Sequence, residues 1–337
     1  MSEIMILGSG GFGTSLAVLL HKHGYDVTMW SAFQQEIDAI RQYGENKKLL
    51  PGIPVGLSIN LTSDIAEAET AKLVIFAVPS HALRAVCQTA RGHLRSDAVL
   101  INVGKGFEES TQKRLSVVIS EEFPENDVVV LSGPSHAEEI ARGVPTTIVA
   151  TSKSREAAEL VQDTLMNADL RVYVNDDMVG VELGGALKNI IAVCAGICDG
   201  MGLGDNSKAA LMTRGIAEIS RLGVAMGAKV ETFAGLTGVG DLIVTCTSMH
   251  SRNRRAGIYI GQGIPADEAI QRVGMTVEGC LACKSAYALA NKYQVEMPIV
   301  QELYQVLYEG KDIKTAITDL MERPKRHETE ENWVRSR

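Results

Sequence analysis

Lys188 lies in the run Val181–Asp199 (VELGGALKNIIAVCAGICD), which reads as a helix apolar around most of its circumference. Burial there penalises an ammonium and lowers its pKa towards the range useful for proton transfer. The alternative is a lysine whose stem lies on apolar surface while its head reaches water. Gly184 and Gly185, four and three residues before it, share its helix face and are expected to leave the open space that a substrate requires. Asn189 could bond substrate or backbone. Asp241 stands alone among glycines and apolar residues in the stretch GVGDL, either as a buried partner for Lys188 or as the cap of a helix over Leu242–Cys246. Lys105, flanked by Gly104 and Gly106, follows a strand-like run and is read as a functional cation rather than a solvated loop residue. Gly133 and Ser135, in Gly-Pro-Ser, occupy the same kind of place. Ser135 could cap the next helix or help its free amides to receive substrate oxygens.

A second group of residues suits phosphate. Gly8, Gly10 and Gly13 form a GxGxxG, with Gly11 and Phe12 inside it, after the first strand and at the start of the first helix. The glycines permit a tight turn, close approach of a pyrophosphate and close helix packing, and the helix N-terminus faces the negative charge. An NAD site usually carries an acid at the end of the second strand. Here that strand ends Trp30-Ser31-Ala32, with Ser31 as a candidate cofactor contact and neither an acid nor an adjacent arginine. The choice between NAD and NADP stays open, leaning to NADP. Ser251-Arg252-Asn253-Arg254-Arg255 is a dense basic cluster in which Ser251 is placed to cap a helix and Arg252 to grip a phosphate.

These residues need a scaffold, and the apolar runs supply one. Residues 3–7, 26–30, 73–78, 98–103, 128–131, 146–150 and 171–174 read as strands with helices between them, as in a buried parallel sheet. Right-handed crossovers make it doubly wound. Beyond Asn175 the long strands stop. Residues 181–199, 207–226, 265–272, 277–292 and 298–309 read as helices punctuated by Gly or Pro. The expected organisation is a Rossmann-like, mostly parallel sheet domain over residues 1–174 and an all-helical substrate-binding and catalytic domain over 175–337. Its charged end, 323–337, is expected to fray.

Composition bounds the function. The 337 residues carry a formal charge of −8, which gives no long-range attraction for nucleic acid or anionic membrane. No run is apolar for the roughly 20 residues of a membrane helix, and no signal peptide is visible. Six cysteines in a chain of this length read as reduced thiols in a cytoplasmic protein. Cys280 and Cys283 form a CxxC, but helical packing explains them better than metal, so no metal is expected. His81 and His136 are weak site candidates. A homodimer is expected if the glycine-rich apolar helix packs across subunits.

In order along the chain, GxGxxG, LVIFAVPSH, Gly-Lys-Gly, SGPS, ELGGALKNIIA, GVGDL, SRNRR and VEG together resemble the bacterial NAD(P)-dependent glycerol-3-phosphate dehydrogenases. The resemblance implies reversible hydride transfer between NAD(P)H and dihydroxyacetone phosphate, giving sn-glycerol 3-phosphate for phospholipid synthesis. It implies Lys188 as general acid/base and Lys105 as a substrate-binding lysine. Gly133, Ser135, Asp241, Ser251, Arg252 and Asn253 would touch substrate; Gly11, Phe12, Lys105, Ala137, Arg252, Thr276 and Glu278 would touch cofactor. Ala32 departs from the basic or histidine residue of many members, which weakens the case for NADPH. The alternatives are a related two-domain β-hydroxy-acid or ketoacid reductase, and a dinucleotide-sensing module without catalysis.

Overall fold

The computed structural model describes residues 3–325 and residue 328, so most of the charged terminal segment lies outside the described residues. Ten strands occur: β1 (Ile4–Leu7), β2 (Val27–Trp30), β3 (Asn60–Thr62), β4 (Leu73–Phe76), β5 (Val99–Asn102), β6 (Phe107–Glu108), β7 (Lys113–Arg114), β8 (Val128–Ser132), β9 (Thr146–Ser152) and β10 (Leu170–Asn175). Eight of them form one sheet in the order β10-β9-β8-β5-β4-β1-β2-β3, and β6 and β7 make a separate hairpin. The sheet is parallel except where β9 runs antiparallel to β8. This is the expected doubly wound, mostly parallel sheet, with its last two strands reversed. The seven strand-like runs are all present; β3 and the hairpin, two or three residues per strand, are too short to show a period.

Alternate residues of each central strand enter different cores. Ile6, Ile75 and Ile101 pack on one face of the sheet, and Met5, Val74 and Leu100 on the other. Both faces are therefore covered, which is why these strands are continuously apolar rather than alternating. After β10 the described chain is helical, around a third core running from Leu183 to Leu303.

At the centre of that core is the Met178–Gly200 helix, whose residues are buried almost without interruption from Gly180 to Ile197. It is long and apolar enough to cross a membrane, but 89% of its apolar window is buried inside the protein. The Arg252–Gly261 helix crosses it at glycines. A Cβ on Gly257 would stand 2.9 Å from Gly196 Cα and overlap the Val193 carbonyl. The glycine stripe is thus used within one chain, which removes the reason for expecting it to bind a second subunit. Gly257→Ala should overpack the crossing and cost about 1–3 kcal/mol, read as a lowered midpoint of denaturant unfolding with an unchanged slope.

Candidate active site

Parallel strands place their carboxyl ends along one edge, so the loops after β1, β4, β5 and β8 meet there. The loop after β1 carries the glycine motif. Gly8 has φ +129°, and a Cβ there would overlap the Ala77 carbonyl. Gly13 likewise meets the Gly8 carbonyl, so these two glycines make the turn and the close packing expected of them. Gly10, by contrast, has open space, its nearest neighbour being the Ala77 oxygen at 3.8 Å. It precedes the Gly11–Lys22 helix without any side-chain cap, so the first amides of that helix point at the cleft unsatisfied by a cap. Asn46 Nδ2 holds the loop by donating to the Ser9 carbonyl at 2.7 Å and to Thr14 Oγ1 at 3.0 Å.

Between this edge and the helices lies a cleft of about 450 Å³. Its walls include Gly10–Phe12, Lys105, Ser135, Ala137 and, from the helical part, Lys188, Arg252, Asn253, Thr276 and Glu278. Gly8, Gly13, Gly133, Ser31, Asp241 and Ser251 do not line it. Gly8 and Gly13 shape the turn, Ser31 lies past the end of β2, and the other three support residues that do line it.

A three-membered charge cluster stands at the cleft wall, with Asp241 behind the two lysines. Lys188 is 5% exposed and Asp241 1% exposed. Lys188 Nζ donates to Asp241 Oδ1 at 2.6 Å and to Thr245 Oγ1. Lys105 Nζ donates to Asp241 Oδ2 at 2.7 Å, to the Gly133 carbonyl at 2.8 Å and to Ser135 Oγ at 3.3 Å. One carboxylate thus serves two ammoniums and leaves a net positive charge. Burial pushes Lys188 down to about 8, against the pull of Asp241 and helped by the nearby Lys105 charge. Burial alone would raise Asp241, but the two lysines outweigh it and hold the carboxyl below its ordinary value. Lys188 keeps its head inside the cleft on Asp241 and Thr245 instead of carrying it to the outer surface, and Asp241 turns to the lysines instead of capping its helix.

Several expectations change. A Cβ on Gly184 would meet the Thr237 carbonyl at 2.5 Å, and one on Gly185 would meet Ser132 Oγ at 2.6 Å. These glycines therefore admit the backbone before Asp241 and the end of β8, and do not leave free volume for substrate. Ser135 does not cap the following helix. His136 is the residue before Ala137–Ala141, and Ser135 Oγ donates to the Gly133 carbonyl at 2.8 Å. Thr245 and Ser80 were not foreseen. Thr245 lies one helical turn from Asp241, a spacing the sequence contains; Ser80 donates from N and Oγ to Glu278 at 3.1 and 2.7 Å, a contact across 198 residues with no local signal.

Ser251 accepts from the Arg254 amide at 3.2 Å and so caps the Arg252–Gly261 helix. Arg254 donates to Asp199 Oδ2 at 2.7 Å, leaving Arg252 and Arg255 to face the cleft. Among the described residues the Arg252 side chain has no hydrogen-bond or ion-pair partner, and Arg255 Nε is buried without a hydrogen bond. Asn253 donates to Asn189 Oδ1 at 2.9 Å and accepts from the Gly279 amide at 2.8 Å, which fixes the helix start. This end of the cleft is built to take an anion, and the uncapped amides at Gly11 fit a second; together they suit a dinucleotide and a phosphorylated substrate.

Residues 3–158 match the family model for the NAD-dependent glycerol-3-phosphate dehydrogenase N-terminus, and residues 177–318 match that for the C-terminus. The glycerol-3-phosphate dehydrogenase [NAD(P)+] of Clostridium perfringens is 54% identical over 97% of this chain and 99% of its own length. That of Desulfitobacterium hafniense strain Y51 is 50% identical over 98% and 94%. The crystal structure of glycerol-3-phosphate dehydrogenase from Coxiella burnetii superposes with a TM-score of 0.92 at 36% identity, covering 96% of this chain and 99% of that one.

Proposed function

This chain belongs to the NAD-dependent glycerol-3-phosphate dehydrogenase family, and on that premise we propose how its residues divide the work of the reaction. The reaction is the reversible, NAD(P)-dependent reduction of dihydroxyacetone phosphate to glycerol 3-phosphate, a precursor of phospholipids. Residues 1–174 form the dinucleotide-binding part and 175–337 the part that binds substrate and moves the proton. When bound, the dinucleotide supplies or accepts the hydride. Gly10–Phe12, Ala137, Thr276 and Glu278 line the space for it, Gly8 and Gly13 shape the turn, and Ser31 bounds its far end.

The lysine–aspartate–lysine cluster is the observation that carries this reading. Lys188, with a pKa near 8, is mostly protonated at neutral pH yet gives up its proton readily. It therefore donates a proton to the substrate oxygen as negative charge develops there, and takes it back in the reverse direction. Lys105 stays beside that oxygen as a fixed positive charge, oriented by Gly133, Ser135 and Asp241. Arg252, Asn253 and the Ser251-capped helix start hold the distant phosphate and so fix the carbonyl in place. That phosphate grip is what separates this reading from a ketoacid reductase, and the intact cluster separates it from a sensor without catalysis.

Steady-state oxidation of reduced dinucleotide should appear with dihydroxyacetone phosphate and stay at background with ketopantoate; the reverse pattern would overturn the reading. Arg252→Ala should raise KM for dihydroxyacetone phosphate about 30-fold, the loss of a charge-assisted contact of about 2 kcal/mol. The rate with unphosphorylated dihydroxyacetone should change much less. Equal losses with both ketones would place Arg252 away from the phosphate.

The sequence leans to NADPH because the second strand lacks a terminal acid. A carboxylate from another element changes that balance.

A further inference from the structure

Glu36 lies in the first turn of the Gln34–Tyr43 helix, five residues past Ser31. Its side chain turns back to the sheet edge. Glu36 Oε2 accepts from Ser9 Oγ at 2.6 Å and from Ser31 Oγ at 2.7 Å. Ser9 is the residue between the first two glycines of the motif, and Ser31 is the first residue past β2. Both serines are buried, and Ser31 Oγ also accepts from the Phe33 amide at 3.2 Å, which orients its hydroxyl towards the carboxylate. A carboxylate pinned between the glycine loop and the end of the second strand stands where a dinucleotide fold receives the ribose 2′-hydroxyl. It reaches that place from a helix instead of from the strand end.

The surroundings agree. Glu36 is half-buried and borders a cavity of about 290 Å³ beside Ser9, Tyr43, Asn46 and Leu49. Ala32 and Phe33 bring no cation to the residues just past Ser31. Lys47 and Lys48 also line this cavity, but both are exposed, and Lys47 Nζ lies 3.8 Å above the Tyr43 ring. Two solvated lysines compete poorly with a carboxylate held by two buried hydroxyls. A 2′-phosphate here would meet a fixed like charge, whereas a 2′-hydroxyl would donate a hydrogen bond to it.

We propose that Glu36, clamped by Ser9 and Ser31, receives the adenosine ribose 2′-hydroxyl and makes this dehydrogenase prefer NADH over NADPH. The proposal rests on the dinucleotide site described above and names the residue that selects between its two forms.

Fluorescence titration of the full chain with NADH and with NADPH, without substrate, tests it. NADH should bind at least about tenfold more tightly. Glu36→Gln, which keeps shape and removes charge, should narrow that ratio about tenfold, mainly by tightening NADPH. Glu36→Asp keeps the charge but cannot reach both serines, so it should weaken NADH binding while still rejecting NADPH. A wild-type preference for NADPH, abolished by Lys48→Ala, would overturn the proposal by giving the 2′-position to a lysine. An unchanged ratio in Glu36→Gln, with NADH binding intact to show a folded site, would overturn it as well. If neither dinucleotide bound the wild-type chain, the dinucleotide site itself would fall, and this proposal with it.

Discussion

Lys188→Ala should lower kcat for dihydroxyacetone phosphate reduction by about 100- to 10,000-fold, the range of a lost general acid. The dissociation constant for reduced dinucleotide should stay within about twofold, because Lys188 bonds Asp241 and Thr245 and none of the residues assigned to the dinucleotide. The variant should also fold. Removing a buried ammonium removes its desolvation cost, and Asp241 keeps Lys105 as a partner at 2.7 Å. Asp241 Oδ1 and Thr245 Oγ1 each lose the Lys188 donor, and the Thr245 hydroxyl still donates to the Asp241 carbonyl at 2.6 Å. Lys188→Arg provides the contrast. It restores positive charge, yet a guanidinium does not release its proton near neutral pH, so it should rescue binding of the substrate more than turnover. Single-turnover rates at saturating substrate separate the chemical step from product release. Near-normal turnover in the alanine variant would exclude Lys188 as the proton donor.

Much of this site was legible from one-dimensional pattern because its constraints are local. A helix apolar on all sides has to be buried, so a lysine in it has to be buried too; Lys188 follows from that. A lone carboxylate among apolar residues and glycines needs a cation, and Asp241 finds two. Gly8 and Gly13 were readable because a strand–glycine–helix turn demands them. What escaped depends on the third dimension. A short apolar strand reads the same in either direction, so the reversal of β9 and β10 leaves no trace in composition. Gly184 and Gly185 showed that something approaches closely, but a glycine does not say whether substrate or backbone fills the space. No acid stands at the end of β2, and Glu36 reaches that edge from the next helix. Its direction is set by Ser9 and Ser31, which become its neighbours only on folding.

Asp241→Asn should do nearly as much damage as removing Lys188, and by a route that pH can expose. The amide is isosteric but neutral, and its NH₂ group turns a donor towards one of two ammoniums. Its oxygen can accept from only one of them and carries no charge, so neither lysine keeps an anionic partner; Lys105 still has the Gly133 carbonyl and Ser135, whereas Lys188 has only the Thr245 hydroxyl besides. Leaving a buried charge uncompensated costs about 3–5 kcal/mol, and Lys188 can avoid that cost by releasing its proton. In the wild type, Asp241 pulls the Lys188 pKa up against burial, to about 8; without it the value falls further. The sign follows directly. Reduction needs the ammonium, so wild-type kcat should fall as pH rises through about 8, and the variant should lose activity at a lower pH. Oxidation needs the free amine, so its rise should also begin at a lower pH. Profiles of kcat from about pH 6 to 9 in both directions therefore should shift towards acid together, with reduction at pH 7.5 depressed by about 100-fold or more. Part of that loss should return near pH 6. A uniform fall with unmoved limbs would mean that Asp241 places the lysines without setting the proton affinity of Lys188, and the shared-carboxylate account of catalysis would have to be abandoned.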